Sequence, residues 1–225
     1  LIPRRLKIHM VTAIYQTVES LTALPTAVVF DFDGTLGDTM PIHWLAWVDF
    51  AKKYSLHFPI DLFYSWGGVP TGKIIRDLFA AKHALMQEKN QVVPDSIDVK
   101  ALSDEKEELY KYYVKRDPVK PIKPIVALAH HYYAKKVPLA VCSGGCTELV
   151  QHGLKSLGIA HMFSVLVCAE DVKCGKPDPE PYLNAAKGLG ISPSSCIGYE
   201  DTDIGLQSIK NAGFAQAIDI RTIIK

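Results

Sequence analysis

Short unbroken apolar runs, alternating with stretches of helical period, constrain this chain more than any other feature. Five runs stand out: Ala27-Val28-Val29-Phe30, residues 138–142, residues 163–169, residues 196–199 and residues 217–220. A strand with one face in water alternates apolar and polar residues, whereas a strand covered on both faces is continuously apolar, the pattern of a parallel sheet. Between the runs lie residues 124–136, 147–157, 179–189 and 203–212, where apolar side chains recur at intervals of three and four. Gly158, Gly190 and Gly213 stand where such helices stop. This succession predicts an α/β fold with a Rossmann-like parallel sheet joined by right-handed crossovers.

Residues 41–114 interrupt that rhythm with helical patterns and few strand runs. Trp44, Trp47, Val48 and Ala51 are expected to line one helix face, and Leu102, Leu109, Tyr110 and Tyr113 another; Gly67-Gly68-Val69-Pro70 breaks the helices between them. The expected organisation is a small helical cap at 41–114 inserted into an α/β core made of 24–40 and 115–225, with residues 1–23 as an N-terminal extension. That extension holds Arg4, Arg5 and Lys7 ahead of its first acid, Glu19, and lacks a long apolar stretch. A targeting remnant, a surface helix and a fragment edge with Met10 as the start all remain open; the default location is cytoplasmic, with organelle import an alternative.

Lys plus Arg number 25 against 24 for Asp plus Glu, a formal net charge of +1, so no overall field gathers nucleic acid or an anionic membrane surface. No apolar run approaches the ~18 residues of a membrane-spanning helix. The five cysteines are odd in number and form no C-x-x-C pair, which points to a reducing compartment and buried thiols, with a redox pair of Cys142 and Cys146 as the alternative. The expected partner is a small molecule, with neither nucleic acid nor membrane, and a monomer is the favoured state.

Chemistry concentrates at the ends of the apolar runs. Asp31-Phe32-Asp33-Gly34-Thr35-Leu36 follows the first run directly, and the carboxyl ends of strands in open α/β sheets are where ligands bind. Gly34 lets the chain turn sharply and bring an amide near an anion. A calcium-binding helix–loop–helix also opens D-x-D, but it needs glycine at its sixth position and glutamate at its twelfth, where Ile42 stands here. A plain surface turn is the other reading of this motif taken alone. Further along, Ser143, Gly144 and Gly145 offer a hydroxyl and amides to phosphoryl oxygens. Lys176, in Gly175-Lys176-Pro177-Asp178, offers a fixed ammonium, or is an ordinary solvated lysine. Glu200 and Asp201 form a second acidic pair suited to an oxygen cage for Mg2+.

These four stations, in this order and with a helical insert after the first, resemble the haloacid dehalogenase (HAD) superfamily of phosphotransferases over residues 24–220. Within it the chain resembles the β-phosphoglucomutase-like and fructose-1-phosphatase-like branches, through Asp38-Thr39, His43, Trp47 and Gly198-Tyr199-Glu200-Asp201. The resemblance implies that Asp31 attacks phosphorus to give an aspartyl-phosphate, and that Asp33 protonates the leaving alcohol and then activates water. It implies Mg2+ held by Asp31, the Asp33 carbonyl and Asp201, with Glu200 direct or through water, and Lys176 beside it neutralising charge. Ser143, Gly34 and Gly144 would contact the phosphoryl group. Haloalkanoic dehalogenases lack the second carboxylate, so Asp33 favours phosphoryl transfer.

In the mutase branch an arginine follows a Gly-Val pair and grips a second phosphate; here Thr71 stands near that position, in Gly68-Val69-Pro70-Thr71-Gly72-Lys73. The Pro-Thr-x-basic pattern resembles the fructose-1-phosphatase-like branch instead. Lys73 and Lys106 are candidate substrate contacts or solvated helix surface, and His43 is a candidate facing the site or a packing residue beside Trp44 and Trp47. The expected function is a Mg2+-dependent phosphatase of a small phosphate ester, a sugar phosphate. The alternatives are a β-phosphoglucomutase-type phosphotransferase and a non-catalytic binding protein on a HAD scaffold.

Overall fold

The computed structural model describes residues 24–89, 91–92 and 96–224. The expected N-terminal extension, residues 1–23, lies outside the described residues. The five apolar runs form one parallel sheet, in the order β5 (Val165–Val167), β4 (Leu139–Cys142), β1 (Ala27–Phe30), β6 (Cys196–Glu200) and β7 (Gln216–Asp219). This is the expected Rossmann-like core. The three central strands are buried throughout, while β5 and β7, each with a neighbour on one side only, stay partly exposed. The expectation of burial on both faces therefore holds for the centre of the sheet and fails at its two edges.

The run at 163–169 is trimmed to three residues because its flanks turn into short 3-10 segments, Ala160–Met162 and Ala169–Asp171. The Asp171 carboxylate accepts the Cys168 N–H at 2.8 Å and draws the chain out of the strand. Helices α5 (Lys123–Ala134), α6 (Thr147–Ser156), α7 (Glu180–Leu189) and α8 (Asp203–Asn211) supply the crossovers. The last three are followed by Gly158, Gly190 and Gly213 at φ of 71°, 69° and 73°, a left-handed backbone that a Cβ disfavours. Tyr182, Ala185 and Ala186 of α7 pack with Ala27, Val29, Ala140, Cys142 and Ile209 in a core cluster at 0% exposure. A two-stranded antiparallel ribbon, β2 (Gly37–Asp38) with β3 (Lys120–Pro121), completes this unit.

Residues 39–118 form a second compact unit. It holds α1 (Met40–Lys53), α2 (Ile60–Ser65), α3 (Thr71–Glu88) and α4 (Val99–Arg116). Its core gathers Trp47, Phe50, Ala51, Phe58, Phe63, Ile75 and Leu78, with Trp44, Leu102 and Leu109 against it. Val48 departs from the expected face and is 39% exposed, because one residue past Trp47 points ~100° further round the helix. Among the described residues no helix is long and apolar enough to cross a membrane.

Candidate active site

Strand register builds the site. Phe30 is level with Val141 on one side and Tyr199 on the other, so the next residues, Asp31, Cys142 and Glu200, emerge together at one edge of the sheet. The ladder runs one bond further at each flank, with Asp31 N donating to Tyr199 O at 3.0 Å and Ser143 N to Val167 O at 2.9 Å. Asp31, Ser143 and Glu200 are thereby set on rigid main chain at 4%, 4% and 1% exposure.

Lys176 reaches this cluster from the loop before α7. Its Nζ donates to Asp31 Oδ1 at 2.7 Å, to Glu200 Oε1 at 2.8 Å and to the Cys142 carbonyl at 3.3 Å, above the Tyr182 ring with 5.3 Å to the centroid. The loop is pinned because the Glu180 carboxylate accepts the N–H groups of Lys173 and Cys174, and Asn211 Nδ2 donates to the Pro177 carbonyl. Lys176 is therefore no solvated surface lysine. Burial acts to lower its pKa, but Asp31, Tyr182, Glu200 and Cys142 outweigh it and hold the ammonium well above the ordinary range. Burial, opposed by Lys176 and reinforced by Glu200, Asp201 and Asp33, raises Asp31 well above the usual carboxylate range.

Asp201 lies where the first loop returns. Gly34 has φ of 84°, and a Cβ there would stand 2.3 Å from Asp201 Oδ2, so glycine is required twice over, by backbone and by space. Thr35 Oγ1 donates to Asp201 Oδ1 at 3.2 Å. Burial first and Glu200 second push Asp201 up to about 7. Asp33 Oδ2 accepts the Ser143 hydroxyl at 3.0 Å, and Ser143 Oγ in turn accepts the Gly145 N–H at 2.9 Å. Ser143 thus turns its proton to Asp33 rather than outward. Gly144 has open space around its Cα, while Gly145 has close neighbours in Ser143, Val150 and Asp33.

Carboxylate oxygens of Asp31, Glu200 and Asp201 all lie within 4.8 Å of one another. Asp31 Oδ2 is buried with no hydrogen-bond partner among the described residues. Clustered anionic oxygens and one orphaned lone-pair donor fit a hard divalent cation. All seven core residues expected from the sequence (Asp31, Asp33, Gly34, Ser143, Lys176, Glu200 and Asp201) come together here, with Gly144 in the same turn as Ser143.

The cap candidates divide. Lys106, 2% exposed, has its Nζ 2.9 Å from His43 Nδ1, and the His43 ring stacks on Tyr110 at 3.8 Å between centroids. Both are built into one buried cluster with Trp47, 5.4 Å from the Lys106 ammonium, so neither is merely solvated surface. Lys73 is half-exposed and pairs with Asp77 on its own helix at 2.6 Å. Residues that sequence reasoning passed over are Thr35, Thr202 and Gly205. Thr202 carried a usable signal, a threonine between a strand end and a helix start. Of the cysteines, Cys142, Cys168 and Cys196 are buried as expected, but Cys174 is exposed and Cys146 partly so.

A strand-end loop with two aspartates, a fixed lysine and a paired acidic loop on a parallel sheet make up a site of the phosphoryl-transfer type. A model of the haloacid dehalogenase-like hydrolase family matches residues 25–213, and the chain belongs to that family. It is 32% identical over 195 residues to a fructose-1-phosphate phosphatase of Escherichia coli, covering 87% of this chain and 96% of that one. It is 29% identical over 189 residues to a phosphorylated carbohydrates phosphatase of Thermotoga maritima, covering 83% of this chain and 81% of that one. In fold it is similar to a β-phosphoglucomutase crystal structure from Clostridium difficile, with a TM-score of 0.69 at 24% identity over 86% of this chain and 83% of that one. The expected phosphoric monoester hydrolase on a HAD-like scaffold is borne out at that level.

Proposed function

We propose that this protein is a Mg2+-dependent phosphatase that hydrolyses a small phosphorylated metabolite, a sugar phosphate, through an aspartyl-phosphate on Asp31. The observation that carries the proposal is the divided carboxylate of Asp31: Oδ1 is held by Lys176, while Oδ2 is buried beside two further carboxylates without a hydrogen-bond partner among the described residues. Asp31, the Asp33 carbonyl and Asp201 would hold Mg2+, which would supply positive charge to the transferring phosphoryl oxygens. Glu200 is the outer partner of that set, since Lys176 and Thr202 already engage its two oxygens.

The remaining chemistry belongs to the chain. A carboxylate oxygen of Asp31 attacks phosphorus in line; the phosphorus–ester oxygen bond breaks as Asp33 gives its proton to the departing alkoxide. Asp33, now a carboxylate, takes a proton from water, which attacks phosphorus and breaks the bond to Asp31, releasing phosphate. Ser143 holds Asp33 by its hydroxyl, and Lys176 spreads positive charge over the attacking carboxylate. Sugar-phosphate specificity draws on the Escherichia coli and Thermotoga maritima relatives. Hydrolysis rather than mutase chemistry is favoured by Thr71 near the position of the second-phosphate arginine and by Lys73 being tied to Asp77.

The test is steady-state phosphate release from fructose 1-phosphate. A chelator abolishes release and excess Mg2+ restores it, and Asp33→Ala lowers kcat by roughly 10²–10⁴-fold. Release that survives chelation would refute the metal requirement. Undiminished release by Asp33→Ala would remove that residue's acid–base role.

A further inference from the structure

Hydrogen bonds fix which way the Thr202 hydroxyl points. Thr202 is the N-cap of α8, and its Oγ1 accepts the Gly205 N–H at 3.1 Å. With that lone pair engaged, the hydroxyl proton goes to Glu200 Oε2 at 2.9 Å, and the Thr202 main-chain N–H donates to the same oxygen at 2.6 Å. Glu200 Oε1 accepts Lys176 Nζ at 2.8 Å, and that ammonium donates to Asp31 Oδ1 at 2.7 Å. An unbroken line therefore runs from the first turn of α8 through Thr202, Glu200 and Lys176 to Asp31. Gly205 makes room for it, since a Cβ there would stand 1.8 Å from Glu200 Oε1.

We infer that Thr202 is a positioning residue for phosphoryl transfer, acting through Glu200 and Lys176 on the orientation of Asp31. Its effect on turnover rests on the phosphatase proposal above; its effect on the geometry does not. A helix cap alone needs only an acceptor for the Gly205 N–H, which serine, threonine and aspartate all provide. Holding Glu200 needs a proton donor as well, which aspartate lacks. Without that hydroxyl donor Glu200 Oε2 keeps only the Thr202 main-chain N–H, so the carboxylate is held by one bond fewer and gives the ammonium that orients the nucleophile a less fixed second anchor.

Three variants separate capping from positioning, each read by the crystal structure of the metal-free protein, by Tm and by kcat with KM at saturating Mg2+. Thr202→Ser keeps both bonds, retains the Lys176–Asp31 contact at 2.7 Å and stays within about threefold of the wild-type kcat. Thr202→Val loses both bonds, opens that contact and lowers kcat roughly 100-fold with little change in KM, the cost of a misplaced reacting group. Thr202→Asp keeps the cap, so its Tm stays close to that of the parent, yet it opens the contact and loses turnover as Thr202→Val does. The inference is overturned if Thr202→Val or Thr202→Asp folds with the contact intact and kcat within about threefold of wild type. Should the wild-type protein release phosphate from no ester, the phosphatase proposal fails, while the crystallographic contact still decides whether Thr202 positions Lys176.

Discussion

Cys142 ends β4 with its thiol enclosed beneath the Lys176 loop, and burial pushes that thiol up to about 12. Burial does the same to Cys168, up to about 12. In the unfolded chain these thiols ionise near their ordinary value of 9.0. Between those two values the folded protein holds protons that the unfolded chain has released, so stability falls as pH rises. Urea midpoints measured from pH 8.5 to 11 are expected to decline, and the decline to become shallower in a Cys142→Ala, Cys168→Ala variant. A profile that is flat, or unchanged by the variant, would contradict the burial argument. At this scale the sequence exposed the carboxylates well, because D-x-D-G at a strand end and Glu-Asp at another leave few alternatives. Thr202 was legible only as a helix cap; its bond to Glu200 depends on which amide its oxygen accepts, and that follows from how α8 starts rather than from residue type.

Among the elements, the first loop and α6 meet closely in the core unit. A Cβ at Gly153 would stand 2.3 Å from the Phe32 ring, and Phe32 is 2% exposed, with little room to give way. Gly153→Ala should therefore destabilise the protein by about 1–3 kcal/mol, less the small gain in helix propensity, as overpacked cores do. A lower urea midpoint at unchanged slope would bear this out, and an unchanged or higher midpoint would show that Phe32 has space to move. Central strands and helix stops were legible because continuous apolar runs and left-handed glycines are local signals. The edge strands were over-read, since apolar content does not report how many neighbours a strand has. The ribbon of β2 and β3 escaped notice because two residues on each side carry no period.

For the whole molecule, the insertion of a helical unit into an α/β core was visible as a change of period, with its limits set by the chain's return to strand-forming sequence. The structure draws those limits at residues 39 and 118, a few residues outside the expected 41 and 114. What the cap does was harder to read. His43 and Lys106 are 63 positions apart, and only folding reveals that they meet in one buried cluster. Thr71 and the Lys73–Asp77 pair bear on whether the protein hydrolyses a sugar phosphate or moves its phosphate between two positions.

Phosphorus NMR of the protein with Mg2+ and either fructose 1-phosphate or glucose 1-phosphate separates hydrolysis of the sugar phosphate from phosphate exchange, with Asp31→Asn as the control. Growth of the inorganic phosphate signal at the expense of the ester, absent in Asp31→Asn, is the predicted result. Conversion of glucose 1-phosphate to glucose 6-phosphate without net phosphate release, dependent on a bisphosphate primer, would contradict it and make the protein a mutase.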